Sequence, residues 1–411
     1  MNKKEYVGAI HELPLHEEKL SNLFNRASLL KNRCVKISKK EVRAMDWGLH
    51  FPSHIHSWKW VSYGEAKGFS YYMPYDSIGS DVYETLALCA INTKTIKLGP
   101  GVTSPRSRTA PVTARAMVTL NELAPGRCIL GIGTGNTARR AWGMPPAKVD
   151  EVGEFIEICR KMFKGEEALY IEGPDRYMKE ERRRYVKFLS PDWGFINIKD
   201  PIPIFLAGSG PRMLELAGEI GDGIILLAAI GESFVDYCME HIRIGAERAG
   251  RDPKSLYTIV LTAFHVLQKG ETLESRSVKL AVGPVVAVLL NITALSLSNY
   301  ARKTGTAKGE PLPEDIRKGV MKFTDAYPGR EMNIERRHLK LYGSYFVWNE
   351  EYEPLITPEM IKTSMLVGTP EEIRETIQRL EYQGINQVTV APIPDPNQAI
   401  DSFHENIMSK Y

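Results

Sequence analysis

Cysteine is scarce in this sequence, with five residues among 411, and no two of them form a CxxC pair. The count is odd, the residues are dispersed, and four of them lie inside apolar runs. A disulfide scaffold does not fit this pattern, so we expect buried thiols in a reducing compartment and a cytoplasmic protein. The residues concerned are Cys34, Cys89, Cys128, Cys159 and Cys238.

Strong net charge and long apolar runs are also missing. The formal net charge is +3 with neutral histidines, which is too small to indicate nucleic acid or a membrane surface as a partner. No apolar run reaches the ~18 residues of a membrane-spanning helix, and the polar, charged first residues do not resemble a signal peptide. We therefore expect neither a nucleic-acid nor a membrane partner.

What the sequence does contain is the composition of a globular protein, with 43% hydrophobic and 25% charged residues. Segments with strand character alternate with helical ones, and they lie near residues 47, 72, 97, 130, 204, 226, 261 and 389. Segments 202–208 and 223–229 are apolar on both faces, as parallel strands covered by helices are. The sequence predicts an α/β fold, a (β/α)8 TIM barrel with insertions, with an open doubly wound sheet as the alternative.

The rhythm of strands and helices also suggests domain boundaries. Residues 1–44 are mixed and basic and are expected to form an N-terminal extension, either packed on the outside or solvated. Residues 45–411 would form the barrel. Within it, residues 166–199 are expected to be a hairpin or lid, and residues 270–365 a helical excursion over the mouth of the barrel.

The stretch from residue 95 to residue 136 organises this prediction. It predicts strand, loop, helix, strand and loop, and both loops are rich in glycine. In a parallel sheet both loops lie at the carboxyl ends of the strands, where such folds bind their ligands. Glycine there would let a planar or anionic ligand approach the backbone.

A second glycine-rich turn, Gly208-Ser209-Gly210-Pro211-Arg212, joins a predicted strand to a helix. The amino end of a helix offers unpaired N–H groups and a positive dipole, and Ser209 and Arg212 add a hydroxyl and a charge, so a phosphate fits there. A tight turn without any ligand is the equally weighted alternative.

Other motifs are less specific indicators of binding or catalysis. The GxGxG string at residues 131–135 lacks the spacing of a dinucleotide fingerprint and the Lys of a P-loop. His54 and His56 resemble the metal-binding pair of barrel hydrolases, but later strands end in residues that cannot bind a metal. We therefore expect no metal and interpret both histidines as lining an organic pocket.

Three charged residues follow predicted strands. Asp76 would hydrogen-bond to a cofactor or cap its loop. Arg106 and Arg108 would clamp acidic groups or be solvated.

Three blocks, residues 75–136, 203–226 and 366–393, resemble the bacterial-luciferase-like family of flavin- and F420-dependent oxidoreductases, in its methylenetetrahydromethanopterin-reductase-like branch. The resemblance implies a redox cofactor across the barrel mouth, a cis peptide bond between Gly101 and Val102 behind its ring, and oligomers. We therefore expect a homodimer or homotetramer. The cofactor contacts it implies are Asp76, Gly101, Val102, Thr134, Gly135, Asn136, Gly208, Ser209, Gly210, Pro211 and Arg212.

Two positions depart from the F420-dependent sugar-phosphate dehydrogenases of that family, which have His and Glu where this chain has Ser77 and Asn136. Without that acid–base pair, the resemblance favours a monooxygenase that uses reduced FMN from a separate flavin reductase and dioxygen on a small organic substrate. His54 and His56 would hydrogen-bond the oxygen adduct, with Asp76 as the third catalytic residue. The alternatives are hydride transfer with coenzyme F420 and a non-catalytic flavin-binding barrel.

Overall fold

The computed structural model describes residues 45–77, 79–228, 230–304, 335–336, 338–339 and 348–411, with only the backbone described for 293–304. The expected N-terminal extension and a large part of the 270–365 insertion therefore lie outside the described residues. The domain boundaries stay predictions. No helix in the described ranges has the length and apolar character needed to cross a membrane.

Eight parallel strands form the barrel that the sequence predicts. They hydrogen-bond in the order β3-β2-β1-β11-β9-β8-β7-β4, and parallel bridges from Leu98 to Cys128 and from Thr103 to Ile132 join the two ends. Strands β5 and β6 form a separate antiparallel pair, and β10 extends the sheet beside β9. The strands are β1 (Asp46–Leu49), β2 (Tyr71–Tyr72), β3 (Lys97–Leu98), β4 (Leu130–Gly133), β5 (Ala168–Glu172), β6 (Arg182–Val186), β7 (Ile204–Ala207), β8 (Gly223–Leu227), β9 (Tyr257–Val266), β10 (Leu366–Gly368) and β11 (Gln387–Ala391).

Helices follow the barrel strands. They are α1 (Ser57–Ala66), α2 (Val82–Asn92), α3 (Ala110–Leu123), α4 (Asn136–Arg140), α5 (Val149–Phe163), α6 (Pro211–Ile220), α7 (Glu232–Arg248), α8 (Arg276–Thr304), α9 (Pro358–Ser364), α10 (Pro370–Tyr382) and α11 (Pro396–Asn406). A capping box lies at the start of α10: the Thr369 hydroxyl accepts from the Glu372 amide at 3.3 Å, and Glu372 Oε2 accepts from the Thr369 amide at 2.8 Å.

Alternation along the strands builds two separate cores. Every second residue of a strand, such as Tyr72 and Leu206, points outward and packs against the helices. The residues between them point inward and fill the barrel with a packed plug. The plug consists of Tyr71, Met73, Ile129, Phe205, Ile225, Ile259 and Leu261. Because the interior is filled, a ligand has room only above this plug, at the carboxyl ends of the strands.

The glycines of the central stretch serve backbone packing, which differs from the role expected of them. A Cβ on Gly101 would lie 2.6 Å from the Met73 carbonyl oxygen, and one on Gly131 would collide with the Pro100 carbonyl. These glycines let neighbouring strand ends and loops approach one another, rather than leaving room for a ligand. Gly210 differs, because no atom of the described residues lies within 4 Å of a Cβ built there.

The two segments predicted as insertions contain a hairpin and a long helix in their described parts. The segment 166–199 contains the β5–β6 hairpin, in which Ala168 pairs with Val186 and Glu172 with Arg182. In the second insertion, α8 packs its apolar face on Ala228 and Ala391, which lie at the carboxyl ends of β8 and β11. The described part of this insertion therefore covers one side of the barrel mouth.

Candidate active site

The loop after β3 lies directly on the barrel plug. Val102 packs against the plug, and the peptide bond between Gly101 and Val102 is cis, as the family resemblance implies. The Gly101 amide donates to the Pro74 carbonyl at 2.7 Å, which ties this loop to the one after β2. The two loops thus form one surface at the bottom of the mouth.

Asp76 lies on that surface, at the end of the loop that follows β2. Its carboxylate Oδ2 accepts a hydrogen bond from the Thr103 hydroxyl at 2.8 Å. Burial raises the pKa of the Asp76 carboxyl and the nearby Asp81 charge adds to this, while the Thr103 hydrogen bond and Arg108 oppose it. A carboxyl group with a raised pKa at the catalytic end of a barrel is a candidate for proton transfer or for bonding a cofactor.

The loop after β4 contains the next predicted residues. Gly135 is buried with a φ of +75°, so a side chain there would be strained and would meet Ser104. The Thr134 carbonyl accepts from the Ser104 hydroxyl at 3.3 Å, and Asn136 Oδ1 accepts from Arg140 Nε at 2.6 Å. This loop therefore packs against the loop after β3, on the side next to β7.

The turn 208–212 after β7 is the most open of the predicted binding segments. Pro211 is the first residue of α6, and the Gly210 carbonyl accepts from the Met213 amide at 3.0 Å. Arg212 is exposed and donates to Asp150 at 2.9 Å. The amino end of α6 is thus accessible to an anion, and the Arg212 guanidinium beside it is highly exposed although it pairs with Asp150.

The three histidines that follow β1 differ in their exposure to solvent. His54 and His56 are exposed, and the His56 amide donates to His54 Nδ1 at 3.1 Å. His50, which sequence reasoning missed, is buried, and its Nδ1 lies 2.6 Å from the Met73 carbonyl oxygen. The sequence contained a signal for this burial, because His50 directly follows β1 and continues the alternation of side chains along that strand.

Burial lowers the pKa of His50 from 6.5 to about 4, although the hydrogen bond to Met73 partly opposes this. In the unfolded chain His50 takes up a proton near pH 6.5, whereas in the folded protein it does so only near pH 4. The folded protein therefore keeps its full stability above pH 6.5 and loses stability as the pH falls from 6.5 to 4. The loss over this range is about 3 kcal/mol in the free energy of unfolding.

We expect His50→Gln, which keeps a donor to Met73 but cannot titrate, to flatten this pH dependence. Urea unfolding of the native protein and the variant between pH 7 and pH 4 measures it. The exposed His54→Gln is the matched control and should keep the native slope. An unchanged slope in His50→Gln would contradict the assignment.

Both arginines of the loop after β3 have carboxylate partners. Arg106 donates through Nε and Nη2 to Glu151 at 3.1 and 2.7 Å. Arg108 forms an ion pair with Asp81, which also caps the amino end of α2. Both arginines therefore bind carboxylates of the protein itself, and neither guanidinium is left for an anionic ligand.

The strands thus form a closed parallel α/β-barrel with a filled interior and polar loops at the carboxyl ends of the strands. Barrels of this class have their active sites at that end. The family model of the luciferase-like monooxygenases matches residues 58–387. The chain belongs to this family and is an oxidoreductase of the luciferase-like type.

Comparison with named proteins refines this placement. The chain is 29% identical over 377 residues to the 5,10-methylenetetrahydromethanopterin reductase of Archaeoglobus fulgidus, covering 89% of this chain and 99% of that protein. It is 30% identical over 182 residues, 43% of this chain and 50% of the relative, to an F420-dependent glucose-6-phosphate dehydrogenase of Nakamurella multipartita. The structure of the coenzyme F420 dependent tetrahydromethanopterin reductase of Methanopyrus kandleri shares the fold, with a TM-score of 0.64, 21% identity, and coverage of 89% and 99% of the two chains.

The sequence-based preference for a monooxygenase using reduced FMN and dioxygen is wrong. The relative matched along nearly its whole length is named a reductase, and the other two carry F420 in their names. Ser77 and Asn136 are therefore not a sign of oxygen chemistry. The role given to His54 and His56 depended on that oxygen chemistry, and their place in catalysis stays a prediction.

Proposed function

We propose that the protein is an F420-dependent oxidoreductase that transfers a hydride between the deazaflavin and a small organic substrate. The similarity to a 5,10-methylenetetrahydromethanopterin reductase along 89% of this chain carries the proposal. When bound, the cofactor supplies the hydride chemistry, and the protein binds it, orients it and excludes water. That relative's named substrate is the first acceptor to try.

The residues at the mouth fit such a cofactor. The apolar surface of Val102 above the plug suits one face of a planar ring. Thr134 and Asn136 lie on the next loop, where the family resemblance implies contacts to the cofactor. No atom of the described residues lies within 4 Å of a Cβ on Gly210, and Arg212, although paired with Asp150, is exposed beside it, which suits the anionic end of the cofactor.

Asp76 is the residue that we propose for catalysis. Its carboxyl is held by Thr103 beside the surface that would support the ring, and its raised pKa allows it to hold or release a proton near the reacting atoms. His54 and His56 have no corresponding place in this scheme, and a catalytic role for them stays an untested prediction.

Self-association also remains a proposal. Large apolar side chains on the hairpin insertion are solvent-exposed, including Tyr185 at 73%, Trp193 at 70% and Phe195 at 69%. Exposed aromatic groups in this number commonly mark a protein interface. They support the homodimer or homotetramer expected from the family resemblance.

Cofactor binding tests the proposed function. We expect F420 to quench protein fluorescence or change its own on titration, and to bind at least about tenfold more tightly than FMN, because its tail is more acidic and the turn 208–212 is open to anions. Arg212→Gln should weaken F420 binding, while Arg115→Gln, a matched charge loss on the exposed face of α3, should not. Tighter binding of FMN, or no binding of F420, would overturn the proposal.

A further inference from the structure

A second open region lies beside Asp76, away from the turn 208–212. It is a cleft of about 410 Å³ between the loops that follow β2, β3 and β4. Its lining includes Asp76, Ser77, Arg108, Arg139 and Trp142. We call it the Arg139 cleft.

The charges that line this cleft are not all neutralised within the protein. Arg108 is paired with Asp81, and Arg106 with Glu151. Arg139 donates a hydrogen bond through Nη1 to the Arg106 backbone carbonyl at 2.9 Å. Among the described residues it has no carboxylate partner, so it is the cation of the cleft that is left for an external anion.

Two buried polar atoms on the cleft residues also lack a partner. Arg139 Nε and Ser77 Oγ are both shielded from solvent, and neither has a hydrogen-bond partner within the described part of the chain. A buried donor without a hydrogen-bond partner is costly, so such groups are normally paired in the working protein. Both residues also line the cleft, so a ligand that enters it would meet both side chains.

The surroundings narrow the chemistry of that ligand. Trp142 is 63% exposed at the edge of the cleft and offers an apolar face for an organic framework. A planar guanidinium and a hydroxyl are typical ligands of carboxylate and phosphate oxygens. Asp76, which also lines the cleft, suits a hydrogen-bond donor on the same framework.

We propose that the Arg139 cleft binds a carboxylate or phosphate group of an organic ligand, with Arg139 supplying the charge and Ser77 a hydrogen bond. This inference rests on the proposed function, because it assigns a group of the substrate or of the cofactor tail to the same mouth. The position beside Asp76, and the separate open turn at 208–212, favour an acidic group of the substrate. Ser77 then gains a role at the position where the sugar-phosphate dehydrogenases have histidine.

Anion binding by the full-length protein tests the cleft without depending on turnover. Inorganic phosphate and glutarate are titrated into the native protein, Arg139→Gln and Arg115→Gln by calorimetry, with thermal unfolding as the check on folding. We expect Arg139→Gln to weaken binding about tenfold or more, Ser77→Ala to weaken it less, and Arg139→Lys to retain part of it, because the charge remains. Arg115→Gln should bind like the native protein. Equal affinities in Arg139→Gln and the native protein would overturn the proposal.

The source of the acidic group is distinguished by a second pair of titrations, with F420 and with the deazaflavin chromophore that lacks its acidic tail. If the group belongs to the cofactor tail, Arg139→Gln weakens F420 but not the tail-less chromophore. If it belongs to the substrate, as we favour, both bind as before and phosphate competes with the substrate. Either result keeps the anion site, whereas failure of F420 to bind, with anion binding still dependent on Arg139, refutes only the proposed function.

Discussion

Asp76→Asn is expected to lower kcat/KM for hydride transfer by about 100-fold or more, the usual size of a lost general acid or base. The amide still accepts the hydrogen bond that Thr103 donates to Oδ2. It cannot take up or release a proton, and it carries no charge. The loss would therefore report the chemistry of the carboxyl group rather than a rearranged loop.

Stability separates this effect from misfolding. The folded pKa of Asp76 is raised above its ordinary value, chiefly by burial, so the ionised carboxylate is less stable in the fold than in the unfolded chain. Above that pKa the group lowers the stability, and removing its charge should leave the melting temperature unchanged or raise it. Activity should fall while stability does not.

Steady-state kinetics as a function of pH provides the measurement. In the native enzyme one limb of the profile should follow Asp76, and Asp76→Asn should lack that limb. Asp192→Asn, at an exposed position on the hairpin insertion, is the control for loss of a carboxylate and should behave like the native enzyme. Near-native kcat/KM in Asp76→Asn would remove Asp76 from the catalytic scheme.

Phe403→Ala should give the largest loss of stability, about 3–5 kcal/mol in the free energy of unfolding. The Phe403 ring is fully buried, and its centroid lies 4.8 Å from that of Phe264 and 5.5 Å from that of Trp47. These contacts join α11 to β1 and β9, which adjoin β11 on either side in the barrel. Truncation would leave a cavity at this junction.

Urea unfolding of Phe403→Ala and Phe403→Leu, followed by circular dichroism, tests this. The leucine variant should lose less, because it fills part of the cavity. Tyr382→Ala truncates another aromatic side chain, one that is 87% exposed on α10, and should stay within about 0.5 kcal/mol of the native protein. A similar loss at positions 403 and 382 would show that the junction does not stabilise the barrel.

The barrel could be predicted because its signals are local. Apolar runs such as segment 223–229 mark strands, and the Thr369 capping box marks the start of α10, so strand order along the chain was readable. Ring closure depends on pairs such as Leu98 with Cys128, which no local pattern specifies.

The site was harder to predict because its chemistry depends on partners brought together by the fold. The sequence does not show that Arg106 and Arg108 meet carboxylates while Arg139 meets none among the described residues, nor that His50 is buried and His54 exposed. It offered Ser77 and Asn136 as departures from one set of relatives. The inference from them to oxygen chemistry was wrong, since missing an acid–base pair does not specify which reaction replaces it.

Oxidation of reduced F420 in the strict absence of oxygen tests the central claim most directly. The enzyme is mixed with reduced F420 and methylenetetrahydromethanopterin, and the absorbance of oxidised F420 is followed. We predict that it rises in step with loss of the substrate, and that Asp76→Asn is slowed. No anaerobic oxidation with this or any other organic acceptor, together with oxygen-dependent consumption of reduced FMN, would contradict the account.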